Sequence, residues 1–210
     1  AVASPATVSR CGMVYMEPQL LGWKPLMTSW LESLPEKVGA AERDYLIEHF
    51  EWLLDPCLWY VRRECKSPVP TMDIMLARAL MRLLAAHMDV WRDDATAPDA
   101  NRGKEMLQGL FVFSLIWAVG ATVDEAGRAK FDAFLRQLLR KEVPEILSTP
   151  GAPQPAMGAT LKLTKPPPDK GTLYDCVFVA DRCAWVEWMT TVPASTVPAG
   201  SKFSDINVQT

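Results

Sequence analysis

The sequence predicts a mainly α-helical fold: a helical bundle, preceded by a short helix and strand and followed by a proline-rich connection and a β-hairpin. Three observations predict it. Apolar residues recur at helical spacing between residues 25 and 141, proline and glycine are dense between residues 148 and 170, and strand-forming side chains follow. We therefore expect four segments, with the bounds 1–18, 19–147, 148–171 and 172–210.

The first segment has the pattern of a short capped helix that runs into a strand. Ser4 is a favourable N-cap residue, and Pro5 has a φ suited to the first helical position. Gly12 can adopt the left-handed conformation that ends a helix, and the apolar run at residues 13–16 is typical of a buried strand. Arg10 then lies in the last helical turn. Such an arginine either reaches a neighbour's phosphate or merely stabilises the helix end.

Three helices are predicted between residues 25 and 91. Pro25 begins the first, and the second covers residues 42–65, where Pro56 should kink or divide it. Thr71 is expected to cap the third, whose few polar side chains form one narrow stripe, so that this helix should be mostly enclosed. The face predicted to be buried on the first helix consists of Leu26, Trp30 and Leu34.

Two further helices are predicted after a polar loop at residues 93–103. Residues 105–119 are very apolar, but the run is shorter than the roughly 20 residues that span a bilayer. We therefore interpret it as a buried core helix, with Trp117 in the core. The next helix, starting at Asp124 or Glu125, is amphipathic. Its apolar side holds Phe131, Phe134, Leu135, Leu138 and Leu139.

A hairpin is predicted from two strand-like runs, residues 172–179 and 184–189, with Asp181 and Arg182 at the turn. The connection before it contains three consecutive prolines at residues 166–168, which favour an extended chain.

Composition and charge exclude several classes of function. The formal net charge is −3, so there is no excess of Lys and Arg to neutralise phosphates, and no nucleic-acid partner is expected. No membrane partner is expected either. The five cysteines are widely spread, which is typical of reduced thiols in a cytoplasmic protein. No glycine-rich phosphate-binding loop is present, so this chain alone should bind no nucleotide.

Metal and nucleophile chemistry are poorly supported. His49 and His87 are the two histidines, they are far apart in sequence, and no C-x-x-C motif occurs, so no metal site is predicted. A Ser or Cys nucleophile paired with one of these histidines remains open, although both lie in apolar helical stretches, which favours a structural role. The carboxylates between residues 42 and 51 have the spacing of a solvated helix face.

The stretch from Ala3 to Tyr15, Ala-Ser-Pro-Ala-Thr-Val-Ser-Arg-Cys-Gly-Met-Val-Tyr, closely resembles a signature of dynein heavy chains near the end of the large subdomain of the second AAA+ module. The resemblance continues along the whole chain, in the correct order. Ala3-Ser4-Pro5 and Leu21-Gly22-Trp23 resemble the axonemal form. Further matching motifs are Asp55-Pro56-Cys57-Leu58, Phe113-Ser114-Leu115-Ile116-Trp117, Gly127-Arg128, Lys130-Phe131-Asp132, Gly171-Thr172, Tyr174-Asp175, Trp185, Trp188 and Lys202-Phe203-Ser204-Asp205-Ile206.

The resemblance implies a fragment of an axonemal dynein motor. In that family a ring of six AAA+ modules hydrolyses ATP, chiefly at the first module's site, and moves along microtubules. Arg10 matches the arginine finger that the second module supplies in trans, and residues 19–147 match its helical lid. ATP or ADP with Mg would be bound by the intact motor. Residues 113–120 match a lid stretch that often carries a sensor arginine, but they contain no Arg, so a structural nucleotide is expected at the second module's own site.

The implied partners are the neighbouring AAA+ modules and, through other parts of the heavy chain, microtubules and dynein intermediate and light chains. The implied location is the cytoskeleton of the cytoplasm and the ciliary or flagellar axoneme. An independent helical interaction domain without nucleotide chemistry is the alternative. It should cover its apolar edges, whereas a lid cut from a ring should expose them. A stand-alone hydrolase would require a polar pocket around His49 or His87.

Overall fold

A computed structural model describes residues 21–92, 97–156, 161 and 163–192. The short helix and strand predicted before residue 18, with Arg10, and the tail after residue 192 lie outside the described residues. The mainly α-helical class is confirmed. The described elements are α1 (Lys24–Glu32), α2 (Ala40–Glu64), α3 (Asp73–Ala86), α4 (Ala100–Ala118), α5 (Glu125–Leu139), β1 (Cys176–Val179), β2 (Ala184–Glu187) and α6 (Trp188–Thr191).

Helix α4 is the centre of the bundle, and α2 and α3 pack against it. By length and composition it could cross a membrane, yet 78% of its apolar window is buried inside the protein. It is therefore a core helix, as predicted. Trp117 departs from the prediction, because it is half-buried rather than enclosed.

Two helix starts were predicted wrongly. Helix α4 begins at Ala100, inside the expected loop 93–103, because the Asp99 carboxylate accepts hydrogen bonds from two backbone N–H groups of the first turn. Helix α3 begins at Asp73, and its N-cap residue is Met72, which makes no side-chain cap. The Thr71 hydroxyl instead donates to the Val69 carbonyl at 3.2 Å.

The helix that contains Pro56 is not divided. Helix α2 runs without a break from Ala40 to Glu64, because Pro56 is buried in the bundle and packing compensates for the hydrogen bond that its missing N–H cannot make. The buried face of α1 is also shifted from the prediction: Met27 and Leu31 are buried, whereas Leu26 and Trp30 are only half-buried.

Helix α3 is more exposed than predicted. Its outer face carries Met75 at 47% exposure beside Arg78 and Arg82. The prediction that everything outside one narrow polar stripe is enclosed was wrong, because apolar residues such as Met75 also lie on the exposed face of the helix. The amphipathic prediction for α5 is confirmed, since its five predicted apolar residues are all buried. Asp124 caps α5 by accepting from the Gly127 N–H at 2.8 Å.

The hairpin is confirmed, with shorter strands than predicted. Strands β1 and β2 are antiparallel, and Cys176 pairs with Glu187. Residues 173–175 form a 3-10 turn instead of a strand, because the Asp175 carboxylate accepts hydrogen bonds from the Thr172 N–H and hydroxyl. After Glu187 the chain turns into α6, so Trp188 and Met189 are helical. The predicted Asp181-Arg182 turn lies between the strands.

Candidate functional site

The polar contacts of the structure concentrate where the proline-rich connection and the hairpin dock on the bundle. We call this region the junction: residues 163–187 together with the faces of α4 and α5 that they contact. Three features hold it: an ion pair on α5, a buried glutamine on α4, and an apolar seat for the hairpin.

The ion pair is formed by Asp132 and Arg136, one turn apart on α5, with Arg136 Nε and Asp132 Oδ2 3.1 Å apart. Their side chains are only 16% and 14% exposed. The guanidinium also donates to the Pro168 carbonyl at 2.8 Å and the Gly171 carbonyl at 3.2 Å, and the Leu173 N–H donates to Asp132 Oδ1 at 2.6 Å. Two side chains on one helical turn thus bind three backbone groups of the connection.

The planar guanidinium explains why an arginine occupies this position. Its fan of N–H donors can pair with a carboxylate on one edge and with two carbonyl groups on the other, which a lysine ammonium cannot do in the same geometry. A second pair, Arg140 with Asp169, lies beside it at 2.8 Å, but these side chains are 56% and 85% exposed. Solvent screens the outer pair, so the inner pair provides most of the anchoring.

The second feature is Gln108 on α4, which is almost fully buried. Its amide nitrogen is 2.9 Å from the Tyr45 hydroxyl, to which it donates, and 3.3 Å from His49 Nε2. Its carbonyl oxygen accepts from the N–H and the hydroxyl of Thr164, at 2.9 and 3.2 Å. One amide therefore joins α2, α4 and the connection. Its contact with His49 is buried, and those with Tyr45 and Thr164 are partly buried.

The contacts of His49 determine its tautomer. Nδ1 lies 2.7 Å from the Tyr45 carbonyl, which can only accept, so Nδ1 carries the proton and Nε2 accepts from Gln108. Burial, opposed by the hydrogen bond to the Tyr45 carbonyl, lowers the pKa of His49 to about 4, so the ring is neutral at pH 7. Burial and the nearby Glu48 and Glu105 raise the pKa of Tyr45 to about 12.

This environment is not that of a catalytic base. His49 is fully enclosed, and neither ring nitrogen contacts a serine or cysteine within the described residues. His87 is half-buried at the end of α3, with its ring edge against Phe113. Burial also lowers the pKa of His87. Both histidines make packing contacts within the bundle, His49 with Phe111 and His87 with Phe113. Among the described residues there is no group of three potential metal ligands.

The third feature is the apolar seat of the hairpin. The Phe178 ring lies so close to Gly109 on α4 that a Cβ at that position would overlap it. The Tyr174 hydroxyl donates to the Gly120 carbonyl at 2.8 Å. At the far end of the hairpin, the Arg102 guanidinium donates to the Asp181 carbonyl at 2.7 Å. The hairpin is thus fixed to the bundle along its whole length.

A known protein family matches this part of the chain. The family described as the dynein heavy chain AAA lid domain matches residues 46–190, which is more than half of the chain and includes the whole junction. The chain belongs to the dynein heavy chain AAA lid family.

Curated relatives of this dynein lid are axonemal heavy chains. The human protein named dynein axonemal heavy chain 3 is 37% identical over 99% of this chain, and the mouse protein named dynein axonemal heavy chain 12 is also 37% identical over 99%. Human dynein axonemal heavy chain 2 is 41% identical over 66%. The chain spans only 5% of the length of the first of these relatives and 6% of the second. The axonemal dynein resemblance is therefore confirmed.

Sequence reasoning found the lid but not the residues that anchor its exit. Arg10, the one site residue predicted, lies outside the described residues. The sequence pattern did not indicate a role for Arg136 or Gln108, because each is a single polar residue in an amphipathic or apolar helix. One signal was available for Asp132: an acidic residue four positions before an arginine on the same helix favours an ion pair. The partners across the junction are distant in sequence and left no local pattern.

Proposed function

We propose that this chain is the lid of the second AAA+ module in an axonemal dynein heavy chain, a motor that couples ATP hydrolysis to movement along microtubules. Membership of the dynein lid family and similarity to axonemal heavy chains over 99% of the chain support this proposal. The intact motor would bind ATP or ADP with Mg, and its neighbours in the ring would be other AAA+ modules of the same heavy chain.

Exposed apolar side chains support a lid in preference to an independent domain. Leu21 is exposed at the start of the bundle, and Met189 and Val192 are exposed after the hairpin; Met189 is 75% exposed. Trp188, Met189 and Val192 are exposed within one short stretch, and grouped apolar surface of this kind is typical of a site that another protein surface covers, whereas scattered single residues are not.

The junction carries the second part of the proposal, that the lid transmits ring movement to the next module. Because Arg136 and Gln108 tie the connection to two helices, a rotation of the bundle moves the hairpin with it. The chain leaves that hairpin through α6 and then continues into its final segment. The observation that carries this proposal is the enclosed Asp132–Arg136 pair, which binds backbone rather than solvent.

Replacing both residues of that pair by Ala in the intact heavy chain tests the coupling. We expect microtubule gliding to slow several-fold while nucleotide binding at the first module stays unchanged. Arg140→Ala is the matched control, because it removes an arginine from the same helix whose ion pair is exposed. Gliding at normal speed in the double variant would show that movement is transmitted elsewhere.

The third part of the proposal is that Arg10 is an arginine finger acting in trans on the neighbouring nucleotide site. Its support is the match of residues 3–15 to the dynein signature. A guanidinium can stabilise charge that develops on the transferred phosphoryl group, so its loss lowers turnover far more than nucleotide binding.

In the intact motor, Arg10→Ala and Arg10→Lys should both slow ATP hydrolysis by roughly 10³-fold or more, because Lys keeps the charge but not the planar geometry. Gliding should stop while the ring remains assembled. Turnover within a few-fold of normal in Arg10→Ala would reduce Arg10 to a helix-end charge. The 210-residue chain alone should show no ATP turnover above contaminant level, since it contains no phosphate-binding loop.

A further inference from the structure

A groove of about 470 Å³ opens beside the junction, and three aromatic rings line it. Trp117 comes from α4, Tyr174 from the 3-10 turn before β1, and Trp188 from the start of α6. The Trp117 and Trp188 rings have centroids 5.5 Å apart and are inclined at 47°, and the Tyr174 ring stands perpendicular to Trp117 at 6.0 Å. Three rings from three elements thus form the walls of an aromatic cage, a term we use for this groove.

The charges of the aromatic cage are mainly negative. Asp175 and Glu187 line it, and both residues are exposed. Hydrogen bonds from the Thr172 N–H and hydroxyl lower the pKa of Asp175, so this carboxylate is ionised at neutral pH. Lys170 is the one basic residue among the lining side chains. A cationic occupant would interact favourably with both carboxylates, whereas a neutral apolar occupant would gain nothing from their charge.

Aromatic faces and carboxylates together are the chemistry that binds organic cations. Ring quadrupoles attract an ammonium or guanidinium held within about 6 Å of the ring centroid. The Tyr174 ring already shows this property, because the Arg128 guanidinium lies 5.6 Å from its centroid. The Trp188 side chain remains 38% exposed although it packs against Phe113 and Trp117, so part of it is available to a partner.

We propose that the aromatic cage binds a basic side chain, arginine or lysine, presented by the protein surface against which the lid docks. Charge complementarity selects that occupant. The position of the cage favours the protein surface that lies beside the continuing chain, because Trp188 and Met189 shortly precede the segment that follows Val192. Identifying this surface with the next AAA+ module rests on the proposed function; the binding of the cation itself does not.

A titration of the 210-residue chain tests the cage directly. Arginine amide is added, and the indole N–H signals of Trp117 and Trp188 are followed by nitrogen–proton NMR. Citrulline amide is the matched control ligand, since it has nearly the same shape without the charge. We expect saturable shifts of both signals with arginine amide and none with citrulline amide. Equal responses to both ligands would show an unselective apolar groove and overturn the proposal.

Variants separate the contributions. Glu187→Gln should weaken arginine amide binding about 2- to 5-fold, and Lys170→Gln should strengthen it by a similar factor, because one removes an attractive charge and the other a repulsive one. Trp188→Ala should weaken it about 2- to 5-fold or more through the lost cation–π contact. Glu145→Gln, an exposed carboxylate outside the groove, is the control and should have no effect. Unchanged binding in Glu187→Gln and Trp188→Ala would overturn the proposal.

The chain itself offers a competing basic side chain, Lys202 of the final segment. If arginine amide shifts the indole signals only in Lys202→Gln, the chain fills its own cage and the proposal of an external partner is wrong. The result is separable from the proposed function, because the Arg10 variants in the motor test hydrolysis and do not bear on this titration.

Discussion

The helical bundle and the junction are held together by different interactions. In the bundle, α2 and α4 bury large apolar side chains completely, and the Phe50 and Phe111 rings meet edge to face with centroids 4.9 Å apart. At the junction, backbone groups of an irregular connection are held by the side chains of Arg136, Asp132 and Gln108. The buried apolar side chains of the described residues 163–187 are few by comparison and include Leu173, Cys176, Phe178 and Cys183.

The difference predicts different responses to mutation. Apolar packing is shared among many neighbours, so a cavity in the bundle weakens the whole folded unit. A polar anchor acts on one backbone segment, so its loss opens that segment first and leaves most of the bundle intact. A lid that must rotate as one piece needs a stiff bundle. The connection that follows the bundle is rich in proline and glycine and offers few apolar side chains. Hydrogen bonds, rather than a large apolar core, must therefore hold it in place.

The largest effect is expected in the bundle. Phe111 is fully buried and contacts the rings of Phe50 and His49. Phe111→Ala should lower the free energy of unfolding by about 3–5 kcal/mol, as for other buried aromatic residues. Denaturant unfolding followed by circular dichroism measures it. Phe111→Leu is the control, because it keeps most of the volume, and it should cost markedly less.

A pH effect of somewhat smaller size is expected from His49, which lies in the bundle on α2 and contacts Gln108 of the junction. Its pKa is about 4 in the folded state and about 6.5 when unfolded. As pH falls below 6.5, the unfolded chain takes up a proton that the folded chain does not, so stability is lost progressively down to pH 4. The expected loss is on the order of 3 kcal/mol, and none of it occurs above pH 7.

His49→Gln isolates this contribution, because Gln does not titrate in this range. Unfolding free energies of the two proteins should differ in their slope between pH 6.5 and 4, where the wild type falls more steeply. His87→Gln is the comparison for a half-buried histidine. Burial lowers the pKa of His87 as well, so the slope should change in the same direction, but by less because this ring is only half-buried. Parallel pH curves for wild type and His49→Gln would show that His49 has the same pKa in the folded and unfolded states.

Trp117 lies between the two regions and should give an intermediate effect. It is only half-buried, and it packs against Tyr174 of the junction and Trp188 of α6. We expect Trp117→Ala to cost about 2–3 kcal/mol, at or below the lower end of the range for fully buried tryptophan. Trp117→Phe should cost less, because the enclosed indole N–H has no partner among the described residues. A thermal midpoint unchanged in Trp117→Ala would show that α4 does not use this side chain.

Sequence alone predicted the bundle far better than the junction, and the reason is the range of the interactions. The amphipathic face of α5 repeats every three or four residues, so Phe131 and Leu135 are evident from spacing. The partners of Gln108 and Arg136 in the connection lie 32 to 56 residues away, in a segment without periodicity. The predicted helix starts were wrong at two caps. Asp99 caps α4, inside the segment predicted to be a loop, and Thr71 lies one residue before the N-cap position of α3, which is Met72.

The smallest effect on stability, and the sharpest test of the comparison, is expected from Arg136→Ala. It removes hydrogen bonds to two carbonyl groups and leaves Asp132, among the described residues, with the Leu173 N–H as its hydrogen-bond donor. We expect a global cost of about 1–2 kcal/mol, because the freed carbonyl groups can reach water once the connection opens.

Hydrogen exchange gives the decisive measurement. In Arg136→Ala, amides of residues 163–175 should exchange at least about tenfold faster, which corresponds to a local loss of roughly 1.4 kcal/mol, while those of α2 and α4 stay protected. Arg140→Ala removes a solvent-exposed pair from the same helix and should change neither, since exposed pairs contribute about 0–1 kcal/mol. If Arg136→Ala instead accelerated exchange equally in the bundle and the connection, the two regions would unfold as one unit. The junction would then be a continuation of the core rather than a separately anchored exit.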